Sequence, residues 1–154
     1  VKLYDCIKQL MALAKSRNIK VHLGYLEYNE LLKELYKYAS VVVSTSRCAE
    51  AAPLYVIEAF TLGSLVITLR KPYGPYEYAL KILSNVSKEL RESYIDTADK
   101  LYKFFVSQDS SKLIDTIFRT INAYFDNNIY VKARNIAVDI IKRNIDKAVK
   151  VAVS

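Results

Sequence analysis

The run Val41-Val42-Val43-Ser44-Thr45-Ser46-Arg47-Cys48-Ala49-Glu50-Ala51-Ala52-Pro53-Leu54-Tyr55-Val56-Ile57-Glu58-Ala59-Phe60-Thr61-Leu62-Gly63-Ser64-Leu65-Val66-Ile67-Thr68-Leu69 decides the fold. Val41 to Val43 are β-branched and suit a strand. The absence of polar alternation there predicts burial on both faces, as in a parallel sheet. A polar loop, Ser44 to Glu50, follows. Pro53 fits the first helical position and Gly63 the C-terminal cap, so a helix is expected from about Pro53 to Leu62. Leu65 to Leu69 then form a second strand. Strand, helix and strand in such close succession make a crossover unit, which places the two strands in parallel.

Outward from this unit, helix and strand keep alternating. Upstream, Ile7, Leu10, Met11 and Ala14 recur at helical spacing and the pattern stops at Asn18, giving a helix over about Tyr4 to Arg17. Ile19, Val21 and Leu23 alternate with Lys20 and His22 as far as Gly24, a short strand. Leu31, Leu32, Leu35 and Tyr38 or Ala39 mark a helix over Glu30 to Ala39. Downstream, Pro72, Gly74 and Pro75 make a turn before a helix from Tyr76 to about Leu83. A charged helical stretch over Asn85 to Lys100 and a strand candidate over Leu101 to Val106 come next. Asp109 or Ser110 can cap a helix from Lys112 to Phe125, and a last helix over about Ile129 to Val149 follows the Asp126-Asn127-Asn128 break. No repeat or linker interrupts the chain. These signals predict one domain over residues 1–154, an α/β layer fold with a mostly parallel sheet.

Composition agrees with a packed domain. The chain has 154 residues, 52% hydrophobic and 25% charged, with only three Gly and three Pro. That length lets a fold bury roughly two thirds of its unfolded surface, and the composition excludes collagen-like and low-complexity classes. Cys6 and Cys48 form no CxxC pair and accompany a single His, which leaves no zinc site or disulfide framework and fits a reducing, cytoplasmic compartment. The least charged stretch, Ala51 to Leu69, is broken by Pro53, Glu58 and Gly63 and is not read as a membrane span. No signal-peptide pattern opens the chain. It begins with Val, as a fragment, a processed chain or an unusual start codon would. A formal net charge of +7 calls for an anionic partner: phosphate groups of a small ligand, an acidic membrane surface or nucleic acid. Because Lys and Arg are spread along the chain rather than gathered in an arm, nucleic acid is the least favoured.

In α/β sheets ligands bind beyond the C-terminal strand ends. That directs attention to the loops Gly24–Asn29, Ser44–Pro53 and Arg70–Tyr76. The second leads into a helix N-terminus, where free N–H groups attract phosphate; Pro53 has none, so Leu54 and Tyr55 must donate. Glu58 is the one charge on the helix Leu54 to Leu62, which is apolar around its circumference. It is therefore expected to be buried and in need of a partner, either ligand hydroxyls or an internal pair with Arg70, Lys71 or a backbone donor. Glu50 lies eight residues earlier, at the loop end of the same unit.

Taken in order, Ser46, Glu50, seven residues, Glu58-Ala59, three residues, Gly63 and an apolar strand resemble the C-terminal, donor-binding half of family-4 retaining glycosyltransferases with the GT-B fold (group 1 glycosyl transferases). His22-Leu23-Gly24-Tyr25, Leu32 to Tyr36 and Ala39 to Ser44 are similar to that family's preceding strand, helix and strand. Gly74 to Glu77 is similar to its Gly-Gly-x-x-Glu turn, and Val106 to Leu113 to its Val-x-x-x-Asp-x-x-x-Leu segment. The resemblance covers most of the chain. It implies a three-layer Rossmann-like domain that binds a nucleoside-diphosphate sugar and transfers a hexosyl unit, with retention, to a sugar or lipid-linked acceptor. Glu50 would face the donor sugar near the reacting carbon and help stabilise an oxocarbenium-like transition state. Glu58 would hold the ribose hydroxyls. Amides around Ala52, Leu54 and Tyr55 would face sugar and diphosphate, and Gly24 and Tyr25 would border the base. No cofactor or metal is demanded by the motif.

Two departures from the family matter. Ala51, Ala52 and Pro53 stand where Gly, an aromatic residue and Gly are frequent, and Pro53 removes a donor. The chain also starts at what resembles the second family helix, so the first strand, its loop with the diphosphate-binding cations, and the acceptor-binding domain are expected to be lacking. Arg47, Arg70 or Lys71 would have to stand in for those cations, and a second domain or chain would complete the enzyme. A non-catalytic remnant or regulatory module of the same fold is the alternative.

Other conspicuous residues have plainer readings. His22 points away from Val21 and Leu23 and suits a solvated or hydrogen-bonded place. The two Cys suit packing. Many of the thirteen Tyr sit at element ends or on helices, where half-burial is the common use. Asn85-Val86-Ser87 matches a glycosylation sequon by coincidence. The last helix sets Lys132, Arg134, Lys142, Arg143, Lys147 and Lys150 against Ile136, Ile140, Ile141, Ile145 and Val149, a pattern that fits packing on its own sheet or contact with an anionic membrane.

Overall fold

The computed structural model describes residues 8, 11–12, 14–16, 25–38, 41–51, 53–126 and 128–153. The chain divides into two compact units, Val1–Leu31 and Leu32–Ser154. In the first, residues 8, 11–12 and 14–16 are helical, in keeping with the expected first helix, and Ala14 is buried. The expected strand over residues 19–23, with His22 and Gly24, lies outside the described residues, as does Cys6. Helix α1, Tyr28–Tyr38, crosses from one unit to the other and begins two residues before the predicted start.

In the second unit the deciding run folds as expected. Strand β1 (Val41–Ser44), helix α2 (Leu54–Thr61) and strand β2 (Leu65–Thr68) form a crossover unit, and the strands pair in parallel with Val41 opposite Leu65 and Ser44 opposite Thr68. Gly63 adopts φ +88°, and the turn closes with Ser64 N–H on the Ala59 carbonyl (2.9 Å) and Gly63 N–H on the Phe60 carbonyl (2.9 Å). That bond pair is a Schellman cap, and its left-handed residue is a glycine for steric reasons. Four helices follow: α3 (Pro75–Ser84), α4 (Lys88–Ser107), α5 (Leu113–Phe125) and α6 (Ile129–Val153). The unit is a mixed α/β structure, mostly helical, around a short parallel pair.

The core centres on β2. Leu65, Val66 and Ile67 are fully buried, packed among Val56 and Phe60 of α2, Ile82 and Leu83 of α3, and Leu90, Tyr94 and Tyr124 of the later helices. Burial on both faces is thus realised in β2. In β1 it is not, since Val43 is 56% exposed. Polar atoms inside are satisfied: the Tyr94 and Thr68 hydroxyls bond at 3.1 Å, and the Tyr124 hydroxyl donates to the carbonyls of Gly63 and Ser64. Between α4 and α5, Ser93, Thr120 and Thr97 share hydroxyl bonds of 2.7 and 2.8 Å, and Thr97 donates to the Thr116 carbonyl. Each hydroxyl has one proton, so the Thr97 bond to a carbonyl forces the sequence Ser93 to Thr120 to Thr97 to Thr116.

Three expectations are corrected. Leu101 to Val106 is not a strand but the last turns of α4. The spacing Leu90, Tyr94, Thr97, Ala98, Leu101 is helical, and propagating an existing helix overrides the β preference of Phe104, Phe105 and Val106. The helix ends at Gln108, whose φ of +57° is left-handed. Neither Asp109 nor Ser110 caps α5; its N-cap is Lys112 at φ +56°, and the Asp109 carboxylate instead accepts from the Ser111 N–H. The helix α2 is not buried all round, because Leu54 is 64% exposed and Glu58 is half-buried. The sequon residues serve as helix punctuation, with Asn85 Nδ2 donating to the Lys81 carbonyl and Ser87 Oγ capping α4.

On the outer side of α4, Asp96 accepts from Lys100 and from Arg119 of α5. The Lys100 hydrogen bond is the largest influence on its carboxyl; desolvation opposes it, and the Arg119 hydrogen bond adds to it, leaving the carboxyl below the ordinary range. A depressed carboxylate contributes stability above its unfolded value, about 3.9, and loses it as pH falls through the lower folded value. The cluster is solvent-screened, so it is worth at most about 1 kcal/mol. Asp96→Asn is expected to lower Tm by about 2–4 °C at neutral pH, with the difference closing as the pH falls below the ordinary carboxylate range; a gap that persists unchanged in acid, measured by thermal melts, would contradict this.

Candidate functional site

The loops that leave the C-terminal ends of β1 and β2 are held together by backbone. Glu50 N–H donates to the Tyr73 carbonyl at 3.0 Å, and the Tyr78 hydroxyl donates to the Ala51 carbonyl at 3.4 Å. Gly74 permits the approach. It adopts φ +129°, and a Cβ there would lie 2.1 Å from the Glu50 carbonyl oxygen. Glu77 Oε2 accepts from Gly74 N–H at 2.7 Å, so the fourth residue of the Gly74–Glu77 turn fixes the first at the start of α3.

Glu50 itself is half-buried and acts on Tyr55. Burial holds the Tyr55 phenol above its ordinary value; the hydrogen bond to Ser44 (2.7 Å) pulls the other way, and the negative field of Glu50 adds to the rise. Tyr55 therefore stays protonated at neutral pH, next to a carboxylate, at the end of β1. Leu54 and Tyr55 carry the first N–H groups of α2, which the helix itself does not pair. The N-cap is Pro53, without a side-chain cap.

One turn after Tyr55, Glu58 faces a cleft of 360 Å³ between α2 and α6, walled by Leu54, Ile57, Ile141 and Ile145, with Asn144 as the other polar residue. The lining of this cleft does not include Glu50. Arg70, considered as an internal partner for Glu58, is engaged elsewhere: its Nη1 donates to both carboxylate oxygens of Asp99 at 2.6 and 2.7 Å. Lys71 lines a different hollow. That hollow, 730 Å³, lies beyond the strand ends, between the loops after β1 and β2 and the C-terminal turns of α4; Arg47 and Arg70 line it too.

The structure thus brings Glu50 and Tyr55 together, sets Leu54 and Glu58 on a neighbouring cleft, and places Arg47 on a separate recess. Tyr25, in the first unit, is exposed; Gly24 and Ala52 lie outside the described residues. Sequence reading missed the aromatic lining of the recess, Tyr73, Tyr76, Tyr102 and Phe105. A helical reading of residues 101–106, continuing the spacing of Leu90 to Leu101, would have exposed part of it. Among the described residues no group of His, Cys, Asp and Glu could hold a metal ion, and no helix is long and apolar enough to cross a membrane.

The family model described as glycosyl transferases group 1 matches residues 7–100, and the whole crossover unit with both glutamates falls inside that span. No curated protein and no solved structure matches the chain significantly.

The Glu50–Gly74 contact is directly testable. Gly74→Ala adds both a left-handed strain and a collision with backbone, which cannot move aside as a side-chain tip can. A loss of about 2–3 kcal/mol of stability is expected, read as a shift in the denaturant midpoint. A variant as stable as the wild type would show that the two loops are not held this way.

Proposed function

The chain belongs to the group 1 glycosyl transferases, and on that premise we propose that it is the donor-binding domain of a retaining hexosyltransferase of GT-B, three-layer Rossmann-like architecture. In this reading residues 1–154 form one nucleotide-sugar-binding domain, working in the cytoplasm with an acceptor-binding domain or partner chain. Glycosyl transfer is the activity that family membership supports; the donor, the retention of configuration and the partner are the finer proposal.

The observation that carries it is Glu58, a half-buried carboxylate in a cleft walled by Leu54, Ile57, Ile141 and Ile145, with Asn144 beside them. A ribose has the matching chemistry, two vicinal hydroxyls to donate and an apolar ring face to lay on aliphatic walls. The amides of Leu54 and Tyr55 would take the diphosphate oxygens at the uncapped end of α2. Glu50, negative and oriented by its backbone bond to Tyr73, would lie near the anomeric carbon. As the bond from that carbon to the diphosphate breaks, positive charge develops on the sugar and a fixed carboxylate stabilises it. The acceptor oxygen then bonds to the carbon on the face the diphosphate leaves, and the acceptor proton passes to the departing phosphate. Resemblance assigns the base to Gly24 and Tyr25.

A non-catalytic module of the same fold is the second reading, favoured by the fact that Glu50 does not line the cleft beside Glu58. Calorimetric titration with UDP- and GDP-sugars separates the two. The donor-binding reading expects Glu58→Gln to weaken nucleotide-sugar binding at least about tenfold, near 1.4 kcal/mol. It expects Glu50→Gln to spare binding and abolish transfer once an acceptor domain is supplied. Affinity indifferent to Glu58 would overturn it.

A further inference from the structure

The recess beyond the strand ends has a chemistry of its own. Its cations come from both loops: Arg47 from the loop after β1, Arg70 and Lys71 from the loop after β2. They are not equivalent. Arg70 is spent on Asp99, which holds its guanidinium through both carboxylate oxygens. Glu77, the acid in the lining, is turned toward the Gly74 N–H. Arg47 and Lys71 are both exposed, and among the described residues neither forms an ion pair. Two cations without an ion-pair partner therefore line one hollow, together with the Glu77 carboxylate. Much of the remaining lining is apolar or aromatic, with Tyr102, Phe105 and Val106 from the end of α4 and Tyr73 from the loop after β2.

We propose that this recess binds a nucleoside phosphate, with its phosphate between Arg47 and Lys71 and its base against the aromatic wall. A bare inorganic anion would have no use for four ring-bearing or aliphatic walls, and a flat lipid surface would not enter a hollow. A ligand with a doubly charged head and a planar body meets both halves, and 730 Å³ lies within the usual size of small-molecule sites. Arginine and lysine supply phosphate donors from two directions, which fixes the head, while stacking fixes the base.

This site is separate from the cleft at Glu58, with which it shares no lining residue. It touches Glu50 through the backbone, since Tyr73, whose side chain faces the recess, gives its carbonyl to the Glu50 N–H. The recess is thus one backbone hydrogen bond away from the loop that carries Glu50, and distinct from the donor cleft.

The test titrates UDP, ADP and inorganic pyrophosphate into the full chain and into three variants: Arg47→Gln with Lys71→Gln, Tyr102→Ala, and Glu58→Gln. Circular dichroism confirms folding, and the first pair of substitutions lies on exposed loop positions. The recess expects UDP and ADP to bind the Glu58→Gln chain still, and the paired substitution, added to that chain, to weaken both at least tenfold. It expects Tyr102→Ala to weaken the nucleotides severalfold and leave pyrophosphate unchanged. Pyrophosphate binding as tight as the nucleotides would overturn the aromatic half of the proposal. Nucleotide binding wholly lost in Glu58→Gln but intact in the paired variant would overturn the site and leave the donor reading standing. The reverse pattern would support the recess and remove the donor reading.

Discussion

Four residues, Leu65 to Thr68, carry the second unit. Each is all but fully shielded from water; pairing with β1 engages one edge of the backbone, and the Thr68 hydroxyl bonds that of Tyr94. A strand covered so completely must have elements on both sides, and α2, α3, α4 and α5 supply them. Its exit is therefore the first point at which the chain returns to solvent. Arg70, Lys71 and the Tyr73–Gly74 turn emerge there beside the loop from β1, so the burial of β2 is also what gathers the functional candidates.

Much of this was legible. The β-branched run, Pro53 and Gly63 are strong local signals, and the crossover unit formed within a residue or two of its expected bounds. Local signals failed where a competing one was stronger. Phe104-Phe105-Val106 has strand composition, yet those residues continue a helix whose buried face runs from Leu90 to Leu101, and adding a residue to a helix costs less than starting a strand with no partner. Lys112 caps α5 in a left-handed conformation that nothing in its residue type announces.

The site was legible by type rather than by arrangement. Glu58 stood out as a carboxylate on an apolar helix, but the exposure of Leu54 could not be read from periodicity, because it depends on how far α6 reaches across α2. Which of Arg47, Arg70 and Lys71 is free for a ligand could not be read either. Asp99 settles it from 29 residues away in sequence, through a tertiary contact. Charge counts alone assign all three cations equal standing; geometry removes one.

The Tyr124 hydroxyl that bonds the carbonyls of Gly63 and Ser64 has a bearing on where the domain can be cut. The segment that identifies the family stops at residue 100, whereas the turn feeding the central strand is closed by a phenol 24 positions further on. Truncation at the end of the recognisable region would strip that turn of its hydrogen-bond donor and open the flank of the strand that Tyr124 covers. The smallest piece able to fold is therefore longer than the piece that carries the family's signature, and the C-terminal helices belong to the scaffold rather than to an appendage.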